Sequence, residues 1–274
     1  MKKTINAQIV ADSISPLGDR ITTYLLTYPR FIHAELMTHR MFSRNSASSR
    51  AIPFETMLKM VEEDPFIPIA WQKDHSGMQG SEYFGQDETF ISSNPMDRFA
   101  NGITKDDGSE VRIVGRLKAE WLWARDIAVQ AATNLNNCGV RYHPNGDLSK
   151  LTGDGRGLTK QLCNRLLEPF MWHTVLVTAT EWNNFFELRC PKIKHEATGL
   201  YYKSLKDWNN IDKEIQWNGL TCQHPENVSQ AEIHIQALAE AMWDAMNESK
   251  SKKLKEGEYH IPFIEIEEDL EITK

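Results

Sequence analysis

Two short stretches of this 274-residue chain gather residue types that do chemistry. The first is His39-Arg-Met-Phe-Ser-Arg-Asn-Ser-Ala-Ser-Ser-Arg50, which places three arginines and four serines within twelve residues. Guanidinium forks match the oxygens of a phosphate, and neighbouring hydroxyls and backbone amides complete the cage. Composition alone also allows a solvated basic loop. The second is Thr178-Ala-Thr-Glu-Trp-Asn-Asn-Phe-Phe-Glu-Leu-Arg189. On a helix, Trp182, Phe185, Phe186 and Arg189 share roughly one face. An arginine on an aromatic face meets an anion, a carbonyl or a ring. The plain alternative is an arginine at a helix C-terminus, favoured by the dipole and reaching into solvent.

The chemistry must sit on a globular scaffold. Apolar residues make up 41% of the chain and charged residues 25%, which excludes wholesale disorder, collagen and coiled coil. The 31 basic and 38 acidic residues give a net charge of −7, so a duplex-coating protein is disfavoured and no nucleic-acid partner is expected. A small anion held by a local arginine cluster stays possible. The first residues carry two lysines but no apolar segment behind them, and no run approaches the roughly 20 apolar residues of a membrane helix. Cys138, Cys163, Cys190 and Cys222 form no C-x-x-C pair, so neither a disulfide framework nor a zinc ribbon is indicated, and a cytoplasmic location is expected. His75, His143, His173, His195, His224, His234 and His260 show no metal-ligand spacing, so no metal is expected. His234, close to Glu232, reads as a polar-face or interface residue.

The elements that would position these stretches follow from periodicity. Alternation over 4–12 predicts a half-buried strand, and the Thr-, Tyr- and Leu-rich run 21–28 predicts a second, stopped by Pro29. Residues 31–41 look helical. Pro53 opens a helix over 54–64 with Phe54, Met57, Leu58 and Val61 on one face. Residues 65–112 read as long loops with short elements. A long helix runs from about 111 to 137 with Leu117, Trp121, Ala124, Ala128 and Ala131 as its buried stripe. The Gly-rich run 152–157 matches neither the P-loop nor the dinucleotide fingerprint and reads as a loop. A helix over 158–167, the apolar run Val175-Leu-Val177, a helix through Arg189 and a helix over 229–249 follow. The last carries Ile235, Leu238, Ala239, Met242 and Met246 as its core stripe. The tail from Phe263 reads as an edge strand. No repeat or linker divides the chain.

Together the two chemical stretches resemble the flavin-dependent thymidylate synthases. The signature R-H-R-x-x-S-x-N-x-x-S-x-R is matched by residues 38–50 at every specified position except the first, where Thr38 stands for Arg. Ser46 stands where Glu is frequent, and Glu35 where Gln is usual; Pro29 and Phe31 keep the family spacing. The second stretch is similar to N-A-R-S-x-x-N-F-x-x-L-R. Asn184, Phe185, Leu188 and Arg189 match, and Thr178 and Thr180 replace Asn and Arg. Ser229-Gln-Ala-Glu-Ile233 resembles the family's A-Q-x-E-I, and Arg165, ahead of Pro169, resembles a nucleotide-contacting arginine. The resemblance covers about 29–53, 162–189 and 229–246; residues 66–157 and 191–228 look like insertions.

The resemblance implies an α+β fold of helices packed around an antiparallel sheet, in a single domain over 1–274. It implies reductive C5 methylation of a deoxypyrimidine monophosphate, dUMP to dTMP. FAD would carry the redox chemistry, with NADPH and methylenetetrahydrofolate as co-substrates, in a homotetramer with shared active sites. By position, Ser48, Ser49 and Arg50 would hold the phosphate with Arg165 assisting, and Glu35, Thr38 and Ser46 would border the substrate. His39, Arg40, Asn45, Thr178, Thr180 and Asn184 would face the flavin. Arg189 would lie against the pyrimidine and stabilise charge developing on it, as the catalytic residue. The substitutions at 35, 38, 46, 178 and 180 cluster in that site. A carboxylate at 35 can accept from an exocyclic amine, so a dCMP methylase or a pyrimidine hydroxymethylase of the phage type is the rival reading. A non-catalytic flavin- or nucleotide-binding protein and a single-strand nucleic-acid binder are readings of other classes; the net charge and the core-like spacing of Trp121 and Trp182 weigh against the latter.

Overall fold

The computed structural model describes residues 2–76, 80, 82–85, 89–90, 111–138, 157–195, 199–211 and 227–263. Its centre is a five-stranded sheet. Strands β1 (Asn6–Ile14) and β2 (Arg20–Pro29) form a hairpin. A 3-10 turn, Arg30–Ile32, leads into the five-residue helix α1 (His33–Met37). Strand β3 (Ser43–Ser46) and helix α2 (Phe54–Glu63) follow. A two-stranded ladder pairs β4 (Thr89–Phe90) with β5 (Val111–Arg112), and the long helix α3 spans Ile113–Asn136. Then come α4 (Lys160–Cys163), 3-10 turns at Asn164–Leu166 and Glu168–Phe170, β6 (Trp172–Ala179) and α5 (Asn183–Arg189). The pair β7 (Ile193–Lys194) and β8 (Tyr201–Tyr202), helix α6 (Leu205–Ile211), helix α7 (Ile233–Glu248) and β9 (Lys252–Lys253) complete the described elements.

The sheet order is β3-β6-β2-β1-β9. All pairs are antiparallel except β1 with β9, so the sheet is mixed rather than purely antiparallel. The reason lies in the connection: β9 is reached through helix α7, and a crossover can return a strand in parallel where a hairpin cannot. The register also corrects the expected alternation of β1. A bulge between Ile9 and Ala11 inserts one residue, so Asp12 and Ser13 become buried beyond it, while Ala7 and Ile9 pack on the core before it.

Tyr24, Leu26 and Tyr28 of β2 and Val175, Val177 and Ala179 of β6 form the inner face of the sheet. Against it lie Ile235, Leu238, Ala239 and Met242 of α7 and Phe185 and Phe186 of α5. The apolar stripe expected on 229–249 is therefore the core stripe, within a helix that begins at Ile233 with Glu232 as its cap. A second cluster gathers Phe54, Met57 and Val61 of α2 around Ala132, Cys163, Leu167 and Phe170. Here α3 contributes Trp121, Ala128 and Val129, whereas Ala124 is exposed, because the contact runs along the 121–128–132 edge of the helix. Residues 31–41 and 158–167 yield only short helices broken by 3-10 turns. Thr38 caps the first with its hydroxyl on the Glu35 carbonyl, and Pro169 limits the second. The expected strand after Phe263 and the loop at 152–156 lie outside the described residues. Among the described residues no helix is long and apolar enough to cross a membrane, and no His/Cys/Asp/Glu group is placed to hold a metal.

Candidate functional site

The two chemical stretches, about 150 residues apart in sequence, converge at the end of α5. Strand β3 pairs with β6, which sets the His39–Ser46 segment beside the strand that leads into α5. Arg189, the last residue of α5, projects to α1 and the turn after it. Its Nε donates to His39 Nε2 at 3.2 Å, one Nη reaches Thr38 Oγ1 at 3.5 Å, and the other lies 3.6 Å from a Glu35 carboxylate oxygen. Three of the sequence-predicted site residues thus meet around the guanidinium of a fourth.

The surroundings set the charges. His39 is buried, with its ring 5.7 Å from Phe42 and 4.9 Å from Phe185, centroid to centroid. Burial first, then the positive charges of Arg189 and Arg44, hold its pKa below the ordinary value. A neutral imidazole accepting from Arg189 is the consistent state. Glu35 is pushed upward, first by burial and then by Glu232, against the pull of Arg189 and His234. Glu232 caps α7 through its bonds to the amides of His234 and Ile235. His234 is not the polar-face residue expected. It is 4% exposed; its Nε2 accepts from the Ile69 amide and its Nδ1 donates to Glu232 at 2.5 Å, so it is a satisfied core histidine. Sequence reasoning missed this because the Ile69 segment reaches it only in the folded chain.

A second constellation lies around Ser49. Ser49 is buried, and its hydroxyl donates to Glu168 at 2.5 Å, while Arg165 lies 3.7 Å from the same carboxylate. The fully buried Asn164 donates to the carbonyls of Ser49 and Ile52, tying the motif loop to the turn that carries Arg165. Ser49 and Arg165, both expected at a phosphate, thus share the carboxylate of Glu168. Sequence reasoning missed Glu168, although its i,i+3 spacing from Arg165 was a readable ion-pair signal. An open cleft of about 340 Å³ adjoins this constellation, bordered by Arg30, His33, Arg165 and Glu168 with Phe31 and Pro169 as walls.

The remaining expected residues are spread along the same edge. Asn45 and Ser46 are exposed on β3, and Arg40, Ser48 and Arg50 are exposed on the segments flanking it. Ser48 accepts from the Arg50 amide at 3.4 Å. Thr180 and Asn184 are exposed where β6 gives way to α5. Thr178 is committed elsewhere: its hydroxyl bonds to Thr23 at 2.7 Å, and Thr23 in turn bonds to His260.

The fold is similar to that of a solved UMP/dUMP methylase. That structure is PolB from Streptomyces cacaoi bound with 5-Br UMP; the likeness covers 89% of each chain at 14% identity with a TM-score of 0.50. The same methylase bound with 5-Br dUMP covers 89% of this chain and 91% of its own at 12% identity, with a TM-score of 0.49. No family model and no curated protein sequence matches the chain.

Proposed function

We propose that this protein is a flavin-dependent enzyme that methylates C5 of a deoxypyrimidine monophosphate. It would use methylenetetrahydrofolate as carbon donor and NADPH as reductant. The observation that supports it most is the meeting of Glu35, Thr38, His39 and Arg189, which joins the two family-like motifs at one guanidinium. The similarity of fold to a UMP/dUMP methylase adds weight in the same direction.

The donor set suits a flavin. Exposed amides and hydroxyls at Asn45 on β3, Thr180 just after β6 and Asn184 on α5, with Arg40 next to His39 in sequence, match the carbonyls and ring nitrogens of an isoalloxazine. When bound, the flavin would supply the hydride. The chain's own contribution is electrostatic and geometric. Arg189 offers N–H groups to a pyrimidine carbonyl as negative charge grows on the ring. Glu35 and His39 hold the guanidinium in one orientation, and the neutral His39 does so without adding a competing cation. Thr38, where the family carries Arg, leaves Arg189 as the guanidinium of this cluster.

One observation favours cytosine as the base. Glu35 sets a carboxylate oxygen 3.6 Å from Arg189, and a carboxylate can accept from the exocyclic amine of cytosine, whereas uracil carries an accepting carbonyl at that position.

The test is direct. The purified chain is expected to show flavin absorbance and to oxidise NADPH only when a nucleotide and methylenetetrahydrofolate are both present. The product would be identified by mass spectrometry, with dUMP and dCMP compared in the native protein and in Glu35→Gln. No flavin uptake together with no nucleotide-dependent oxidation refutes the proposal. An unchanged preference in Glu35→Gln refutes the role given to Glu35.

A further inference from the structure

Helix α5 carries charge on a second side. Glu187 stands two residues before Arg189, about 200° away around a helix, so the two side chains leave α5 in nearly opposite directions. A cleft of about 290 Å³ opens beside Glu187, between α5 and the β7–β8 pair. It shares no residue with the Arg189 cluster. Neither chemical motif supplies its far wall, which comes from the segment after Cys190.

The backbone fixes that wall. Ile193 pairs with Tyr202 across β7 and β8. The Val228 amide donates to the Lys192 carbonyl at 3.1 Å, and the Lys192 amide donates to the Asn227 side chain at 3.0 Å. The floor is the buried Phe186, whose ring lies 5.2 Å from that of Trp243 on α7. Pro191 and the exposed Val228 and Tyr201 add apolar surface around it.

Two ammonium groups stand at this apolar cleft. Lys203 Nζ lies 2.9 Å from one oxygen of Glu187, and Lys192 Nζ lies 3.3 Å from the other. The hydrogen bonds from Lys203 and then Lys192 hold the Glu187 pKa below its ordinary value, so the carboxylate is ionised at neutral pH. Among the described residues the cleft is lined by two cations and one anion. One positive charge is left over, on a chain that carries −7. The volume lies at the small end of ligand sites, enough for a single ring and too little for a dinucleotide.

We propose that this cleft binds a small aromatic carboxylate, a single ring bearing one anionic group. The ring lies on Phe186 among the apolar walls, where edge or offset contacts between rings are favourable. The carboxylate takes Lys192 and Lys203 as donors, in the geometry with which they already hold Glu187. Glu187 competes with it for both lysines and sets the affinity. The site goes beyond the proposed reaction and draws on none of its residues.

Calorimetric titration of the full chain tests this with three probes: benzoate, the neutral ring benzyl alcohol, and acetate. Benzoate is expected to bind at least about ten-fold more tightly than either of the others, because only it engages both halves of the cleft. Lys192→Gln and Lys203→Gln should each weaken benzoate about ten-fold and leave benzyl alcohol unchanged, since each removes a donor to a charged acceptor. Lys192→Arg keeps the charge and should restore most of the affinity. Glu187→Gln should tighten benzoate several-fold by removing the competing anion. Arg189→Gln should leave benzoate binding as it is. Benzoate that binds no more tightly than acetate or benzyl alcohol overturns the site. So does a benzoate affinity that survives both lysine substitutions, one that is lost in Arg189→Gln, or one that falls in Glu187→Gln. Each of those results leaves the methylation reading where it stands.

Discussion

His173 makes the fold sensitive to mild acid, and one substitution isolates the effect. The residue lies on β6, 3% exposed, with Tyr28 and His33 against its ring and Arg30 donating to its Nε2. Burial, then the charges of Arg30 and His33, lower its pKa from 6.5 to about 3. A histidine with a depressed folded pKa binds fewer protons folded than unfolded between those two values. Stability is therefore full above pH 6.5 and is lost as the pH falls toward the folded value. At pH 5 the unfolded chain gains about 2 kcal/mol from protonating this one ring, and the folded chain gains almost nothing. His173→Gln keeps an acceptor for Arg30 and removes the titration. Between pH 7.5 and pH 5, denaturant unfolding of the native protein should thus lose about 2 kcal/mol more than the variant loses, or about 4–8 °C in melting temperature for a chain of this size. Asp12, lowered to about 2, loses its contribution only below pH 4 and does not enter this window. Parallel pH profiles for the two proteins would refute the account of a buried neutral imidazole.

Two other substitutions probe the supports of the site. Asn164→Ala removes the bonds to the carbonyls of Ser49 and Ile52 and should cost roughly 2–4 kcal/mol in denaturant unfolding; a loss under about 0.5 kcal/mol would show that the motif loop is held by something else. Glu232→Ala removes the cap of α7 and the partner of His234, so thermal melts should register a loss of about 1–2 kcal/mol, and an unchanged melt would count against the capping role.

The parts of the fold legible in the sequence were those whose burial imposes a period. Strands β1 and β2 and helices α2, α3 and α7 each bury a face or stripe, and their residues repeat accordingly. Strands β3 and β9 left no such mark. Ser43-Arg-Asn-Ser46 and Lys252-Lys253 lie at the two edges of the sheet, where pairing of the backbone makes the strand and no side chain needs an apolar neighbour. The bulge in β1 was invisible for a related reason, since one extra residue reverses the alternation without changing composition. In the site, the meeting of Arg189 with Thr38 and His39 was foreshadowed by the two motifs. The roles of Arg30, His33, His173 and Glu168 were not, because their partners come from segments more than 100 residues away, apart from Tyr28 and Arg165.

Strand β3 gives the motif a second duty. An edge strand offers unpaired amides and carbonyls to any other strand that approaches, and charge on the edge is a common defence against such joining. Arg44 sits there, anchored to the Met37 carbonyl, and the opposite edge carries Lys252 and Lys253. The polar residues of 43–46 make this edge a poor template for a strand of a neighbouring molecule. Under the proposed function, replacing them with apolar residues would lower both turnover and solubility. A variant library screened for activity alone would confuse the two, and a count of soluble protein beside each activity would separate them.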